Sequence, residues 1–579
     1  MAKYFSHSIF TTLALLSAGI CLAEEPANSS SSDQENIAAL ANNQLIFRGF
    51  FFTGAADDVL PEGREGFTGV QIEDLDIPGG DGGLENIATP YLGKPINKEQ
   101  LIALKQAIVN YYIKSKRPGI VVAIPRQKAS SGIVQILITE KTLGKIIYKG
   151  AEWWSEDYLS QFIQVEPGEV IIEEDVLNDL AWLNQNPFHH SDLKYVAGSR
   201  PDEIDIEITT KDRFPIRFFA TGDNTGNPAT GNDRFSGGLT WGDAFRINDL
   251  LTYQYTTSNF PERYESHTGT YISYLPWKHT LMLFGNHTSV KIPTIPNFKV
   301  NAGSYDLRLR YTIPFKPLYT PFLQSLGFGF DVKYTNSNIL NLATPQTTVL
   351  PFPNPIVQKL NISQLVGIYS LTNITGNHNY SLELDVYWAP FHFLKYQSDE
   401  DFAANRLFSK NKYAYAFLTI ADTYTLPKNF LLASMLRIQK ASTVIPNTEL
   451  FSIGGYNTVR GYNESEFNSD NGLIVNLELR TPNISPFGRF SKKIEDQLVF
   501  LGFFDYGIGT TIHNVKALEG PATQYAMSVG PGVRYFINPV LAFRCDYGFK
   551  LHDLIAINSA QRAYFRGFGK WHLGLMLSY

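Results

Sequence analysis

Cysteine is nearly absent from this 579-residue chain, which has only Cys21 and Cys545. Cys21 falls in an N-terminal leader, so the mature chain keeps one thiol and cannot form an internal disulfide. That excludes a disulfide-stapled scaffold. Long apolar runs are missing too: nothing after the leader approaches the roughly 20 continuous apolar residues of a transmembrane helix. Basic charge is scarce, with 49 Lys and Arg against 55 Asp and Glu. No basic stripe stands out, so nucleic acid is not an expected partner. Catalytic signatures are lacking as well. There is no Gly-x-Ser-x-Gly elbow and no zinc-protease helix. Gly327-Phe328-Gly329 and Gly507-Ile508-Gly509 have no helix behind them to bind phosphate. His189-His190 with Asp192 has no third spaced ligand and reads as a polar turn after Pro187. No enzyme activity, metal or cofactor is expected.

Aromatics, by contrast, are plentiful, with 40 Phe and 31 Tyr, many spaced two apart. In the last ten residues Trp571, Leu573, Leu575, Leu577 and Tyr579 share one parity, while His572, Gly574 and Ser578 share the other. Leu541–Leu551 and Tyr525–Tyr535 repeat the pattern with Arg, Asp and Lys on the polar side. Tyr305, Leu307, Leu309, Tyr311 and Ile313 alternate with Asp306, Arg308, Arg310 and Thr312. A barrel with lipid outside and water inside requires this dyad period. From Phe214 to Tyr579 about sixteen strands are expected, at about 23 residues for each strand with its loop.

The N-terminus carries Lys3, an apolar Ser8–Ile20 and the small-residue end Cys21-Leu22-Ala23, the pattern of a signal peptide over residues 1–23. Export combined with alternating strands points to the outer membrane of a Gram-negative-type bacterium. Residues 24–66 read as a mobile extension containing a short helix near Asp33–Asn43 and an unexplained apolar patch, Leu45–Phe52. Residues 67–143 and 144–213 each follow the order strand, helix, helix, strand, strand. The first of these has an amphipathic helix at Lys98–Lys114 and the second has one at Glu173–Asn184. The expected fold is a transmembrane antiparallel β-barrel preceded by two small α/β modules.

A long loop, residues 443–470, separates the eleventh and twelfth expected strands and contains Val459-Arg460-Gly461-Tyr462. The next strand carries Phe503-Phe504-Asp505-Tyr506-Gly507, and Asn476-Leu477-Glu478-Leu479-Arg480 lies between. Together these resemble the sixth-loop tetrapeptide and F-x-D-x-G strand of the outer-membrane assembly and two-partner-secretion superfamily. Ile124-Pro125-Arg126-Gln127 and Leu183–Phe188 resemble the POTRA modules of its haemolysin secretion/activation members. Glu140-Lys141 departs from the family's Glu-Gly, and the final aromatic is Tyr rather than Phe.

The resemblance implies an outer-membrane pore with periplasmic POTRA modules that capture an unfolded adhesin- or haemolysin-like polypeptide and export it. Outer-membrane lipid and the barrel-assembly machinery are its other implied partners. An assembly or insertion factor of the same superfamily is the alternative, and an outer-membrane enzyme or passive porin fits less well. The resemblance also implies that the loop folds into the lumen, bringing Arg460 to Asp505. That pair is expected to be water-screened and so to add little to global stability. Asp505 has the parity opposite Phe500, Phe504 and Tyr506, so it should face inward.

Overall fold

The computed structural model describes residues 31–295, 298–315, 320–341, 356–488, 494–513, 521–555 and 567–579. The chain divides between Arg213 and Phe214 into two compact units. The N-terminal unit holds two successive α/β layers. The first is a four-stranded sheet in the order Gly69–Glu73, Gly49–Thr53, Ile133–Glu140, Ile120–Ala123. Gly49–Thr53 is parallel to both of its neighbours. Phe50, Phe51 and Phe52 are all fully buried, because a strand covered on both faces must be apolar at consecutive positions.

This corrects the expectation of a mobile extension before residue 67. The apolar patch is a core strand of the first layer, and its non-alternating composition concealed it. The helix Ser31–Leu40 contributes Ile37 and Leu40 to the same core. Lys98–Lys114 is helical as its spacing requires. Asn97 caps it by accepting from the Gln100 N–H at 2.9 Å, and Leu101, Leu104, Ile108 and Tyr112 face the sheet.

The second layer orders Thr142–Lys149, Glu203–Asp212 and His189–Ala197, with Glu173–Leu183 as its main helix. Residues 189–192 therefore belong to a strand rather than to the polar turn expected after Pro187. His189 is buried against Trp154, with ring centroids 5.1 Å apart and neither ring nitrogen hydrogen-bonded among the described residues. Burial pushes its pKa down to about 4, against the pull of the Asp212 carboxylate.

The C-terminal unit is a closed antiparallel barrel of sixteen strands. The first strand, Ile216–Asp223, closes on the last, Gly569–Ser578, through pairs running from Phe219↔Ser578 to Asp223↔Gly574. In that last strand Trp571, Leu573, Leu575 and Leu577 are exposed outward, while His572 and Ser578 are buried inward. In the sixth strand, Phe298–Pro314, Tyr305, Leu307 and Leu309 face out and Arg310 is buried. Charge faces the lumen because an ionised side chain facing lipid at mid-bilayer costs about 2–4 kcal/mol.

Candidate functional site

The loop between the eleventh strand, Leu431–Ala441, and the twelfth, Asn471–Arg480, lies within the barrel wall rather than outside it. It is a hairpin whose arms, Phe451–Ile453 and Phe467–Ser469, pair antiparallel. Gly454 and Gly455, at φ +102 and +116, turn the chain where side chains would be strained. Phe451, Ile453, Val459 and Tyr462 then pack against Ile474 and Ala526 of the wall.

Every residue expected at this site comes together there. The thirteenth strand, Asp496–Thr510, alternates buried Val499, Leu501, Phe503 and Asp505 with outward neighbours, placing Asp505 in the lumen. Arg460 grips it bidentately, Nε to Oδ2 at 2.7 Å and Nη2 to Oδ1 at 2.8 Å, while the Arg460 backbone N–H donates to Oδ2 at 3.0 Å. The guanidinium carbon lies 3.5 Å from the Phe503 ring centroid. Gly507 leaves room for the loop, since a Cβ there would sit 2.8 Å from both Ile453 and Val459. Gly461, at φ +90, faces Gly548 so closely that a Cβ on either would strike the other's backbone. The Tyr462 hydroxyl reaches the carbonyls of Met527 and His552.

The water-screened pair that was expected is not what forms. Arg460 is 3% exposed and Asp505 fully buried. The reason is a set of further partners beyond the sequence motif. Arg460 Nη1 donates to Glu478 at 2.6 Å and lies 3.4 Å from Asp546. Asn476 donates to Asp505 at 2.8 Å, and the Gly461 N–H donates to His572 Nε2 at 2.9 Å. Arg480, Arg534 and Arg544 complete the charge balance on Glu478 and Asp546. Such a cluster holds only because each ion is paired, and removing one member leaves uncompensated charge. Glu478 was foreshadowed by its parity within Asn476–Arg480. Asp546 and His572 were marked only as inward by the alternation of their strands, with nothing local to tie them to the loop.

The base of the loop has its own ties, which the sequence did not announce. Asp470 accepts a bidentate contact from Arg406 at 2.6 and 2.9 Å, and also the N–H groups of Ile445 and Ile512. Glu449 pairs with Lys333 at 2.6 Å and accepts from the Tyr415 hydroxyl. Among the described residues no cluster of three or more His, Cys, Asp or Glu has the arrangement of a metal site. His190 and Asp192 form a simple contact of 3.3 Å.

The described fold agrees with that of known proteins. The family described as Haemolysin secretion/activation protein ShlB/FhaC/HecB matches residues 202–314 and 357–533, half of the chain. The heme/hemopexin transporter protein HuxB of Haemophilus influenzae strain 86-028NP is 24% identical over 474 residues, covering 78% of this chain and 77% of its own. CdiB from Escherichia coli has the same fold, with a TM-score of 0.69 at 12% identity over 98% of this chain and 93% of that one. CdiB from Acinetobacter baumannii gives a TM-score of 0.63 at 15% identity, covering 100% and 97%. The chain thus belongs to the haemolysin secretion/activation family: it is a two-partner-secretion transporter of the Gram-negative outer membrane, with its POTRA region in the periplasm and an exported protein as its partner.

Proposed function

We propose that this transporter captures an unfolded adhesin- or haemolysin-like polypeptide on two POTRA modules and passes it through the barrel, with Arg460 latching the long loop in the transport-competent position. The buried Arg460–Asp505 contact carries this reading. An Arg held among three carboxylates inside a pore fixes the loop as a charged wedge, and withdrawing it would open the lumen. Val459, Gly461 and Tyr462 shape the wedge, and Phe503 and Gly507 shape its seat. The outer strands of the two N-terminal sheets can pair with an extended chain through main-chain hydrogen bonds, a largely sequence-tolerant mode suited to an unfolded substrate. Outward aromatics contact outer-membrane lipid, and the barrel-assembly machinery inserts the chain.

The test is a deletion of residues 31–213 behind the intact leader. Barrel closure satisfies its own backbone groups, so a heat-modifiable barrel is expected in the outer membrane with no export of the cognate partner. Export by the truncated chain at the level of the full chain would remove the capture role.

A further inference from the structure

The long loop shares the mouth of the barrel with another. Odd-numbered strands rise from the periplasmic end, where Ile216 begins, so the loops after the ninth, eleventh and thirteenth strands open to the outside. The ninth strand is His378–Ala389 and the tenth Tyr413–Thr425, and residues 390–412 connect them. That connection carries a short helix, Asp399–Asn405, closed by a capping box. The Ser398 N–H donates to Asp401 Oδ2 at 2.9 Å, and the Asp401 N–H donates to the Ser398 hydroxyl at 3.2 Å. The Asn411 N–H donates to Asp399 at 2.9 Å and the Ser409 N–H to the Arg406 carbonyl at 3.0 Å. These bonds hold the shape of the loop from within, without help from the wall.

The helix turns into the lumen. Its Phe402 is fully buried in a cluster with Leu360, Ile362 and Tyr413. Ile362 is the cross-strand partner of Lys333, whose ammonium meets Glu449 of the long loop, so that parity faces inward. At the end of the helix, Asn405 lines one cleft with Thr448 of the long loop and with Thr288, Val290, Ala302 and Ser304 of the fifth and sixth strands. On the other side the Phe408 ring lies 5.9 Å from that of His513, just past the thirteenth strand. A loop rooted between the ninth and tenth strands thus faces the fifth strand at one edge and touches the end of the thirteenth at the other. It lies across the lumen.

Its hold on the mouth is polar and concentrated in a few bonds. The Arg406 clasp on Asp470 is joined by Asn447 Nδ2, which donates to the Asn405 carbonyl at 3.0 Å, and by Gln358 Nε2, which donates to the Ala404 carbonyl at 3.2 Å. Phe402 is the buried apolar anchor of the helix, whereas Leu407 and Phe408 are 52% and 56% exposed. Phe408 also keeps φ at +67, a conformation that strains a bulky residue and persists only where surrounding contacts enforce it. A wall strand is held by a full ladder of backbone bonds. This loop is held by a clasp, an anchor and a strained turn.

We propose that residues 390–412 form an external gate, separate from the long loop, that must leave the mouth before an exported polypeptide can emerge, an inference that rests on the partner passing through the lumen. Withdrawing the tip of the long loop opens the lumen from within. Glu449 still keeps the base of that loop on the wall, and the helix still lies over it. The Arg460 contact and the Arg406 contact therefore close the path at two levels, one inside the barrel and one at its exit.

The test fastens the gate shut from outside the cell. In the full chain carrying Cys545→Ser, the variant Phe408→Cys/His513→Cys is bridged with a short bis-methanethiosulfonate, which a reductant removes. Export of the cognate partner should fall about tenfold once about nine-tenths of the chains are bridged, because only the fraction still able to open works, and the reductant should restore it. Asn405→Cys/Asn447→Cys, which ties the gate to the base of the long loop, should behave in the same way and decides the matter if the first pair fails to insert. Undiminished export by bridged chains overturns the gate. Failure of the underlying reading looks different: a partner that leaves by another route is exported normally by Arg460→Ala as well, whereas failure of the gate alone spares the bridged chain and leaves Arg460→Ala defective.

Discussion

Two walls of the same lumen are built differently. Across the second to fifth strands, inward hydroxyls pair with one another. Ser236 bonds Thr256 at 2.9 Å, Thr240 bonds Thr252 at 3.1 Å, and Ser266 bonds Thr288 at 2.9 Å. Each hydroxyl is satisfied by its neighbour across the ladder, so this wall needs no further partner. Along the twelfth to sixteenth strands the inward residues are Asn476, Glu478, Asp505, Arg534, Asp546 and His572, and they converge on Arg460 from the loop. That wall is incomplete without its guest. The same alternation of apolar and polar residues thus yields one self-sufficient surface and one that specifies where a loop must dock.

The contrast is broken most severely by Arg460→Ala. Three carboxylates lose their shared cation, and undocking of the loop is expected at about 3–5 kcal/mol, the cost of breaking a buried pair. Export should fall to background while barrel level and heat-modifiability stay near normal, because the strand ladders are untouched. Asp505→Ala should match it, and the double variant should be little worse than either single. Normal export by Arg460→Ala at a normal barrel level would leave the cluster with a purely structural role. Asp470→Asn at the loop base should act in the same direction more weakly, about 1.5–3 kcal/mol for the weakened Arg406 contact, read as faster proteolysis of residues 443–470. Unchanged proteolysis would mean that the seat alone holds the loop.

The N-terminal unit offers the opposite way of burying a polar group, since His189 is kept neutral rather than paired. Its folded pKa, about 4, lies below the ordinary 6.5. On acidification the unfolded chain takes up a proton that the folded one refuses. Stability is therefore full above pH 6.5 and is lost between pH 6.5 and 4, by about 2 kcal/mol at pH 5. Hydrogen exchange across residues 144–213 of the full chain should rise over that window, and His189→Phe should flatten the rise. A pH-independent exchange in the wild type would show that the ring is charged or hydrated in the fold. The smallest effect belongs to the hydroxyl wall. Thr252→Val should change stability by no more than about 0.5 kcal/mol and leave export intact, and a marked export defect would mean that this wall also guides substrate.

Legibility followed the range of the interactions. The Trp571–Tyr579 and Tyr305–Ile313 alternations announced lipid-facing strands, and the closed barrel has sixteen. Phe50-Phe51-Phe52 hid its strand because both its faces are covered, which removes the period that marks a strand. His189 and His190 looked like turn residues after Pro187 but continue a ladder, with His189 opposite Asp212. At the loop, the Arg460–Asp505 partnership came from resemblance, and its burial did not. Exposure depends on Glu478, Asp546 and His572 arriving from three other strands.

The sequence by itself determined the elements whose causes are local. These are the two-residue alternation of the barrel strands, the capped amphipathic helix at Lys98–Lys114, and the glycines that let the loop turn at 454 and 455. Tertiary structure alone decided which inward residues meet. Closure of Ile216–Asp223 on Gly569–Ser578 sets the register of all the strands between. That register brings Asp546 and His572, 86 and 111 residues or more along the chain from the loop tip, to within hydrogen-bond reach of Arg460 and Gly461. An Arg in a loop is by default a solvated cation. Only the assembled wall, with its carboxylates already gathered, makes burying it favourable.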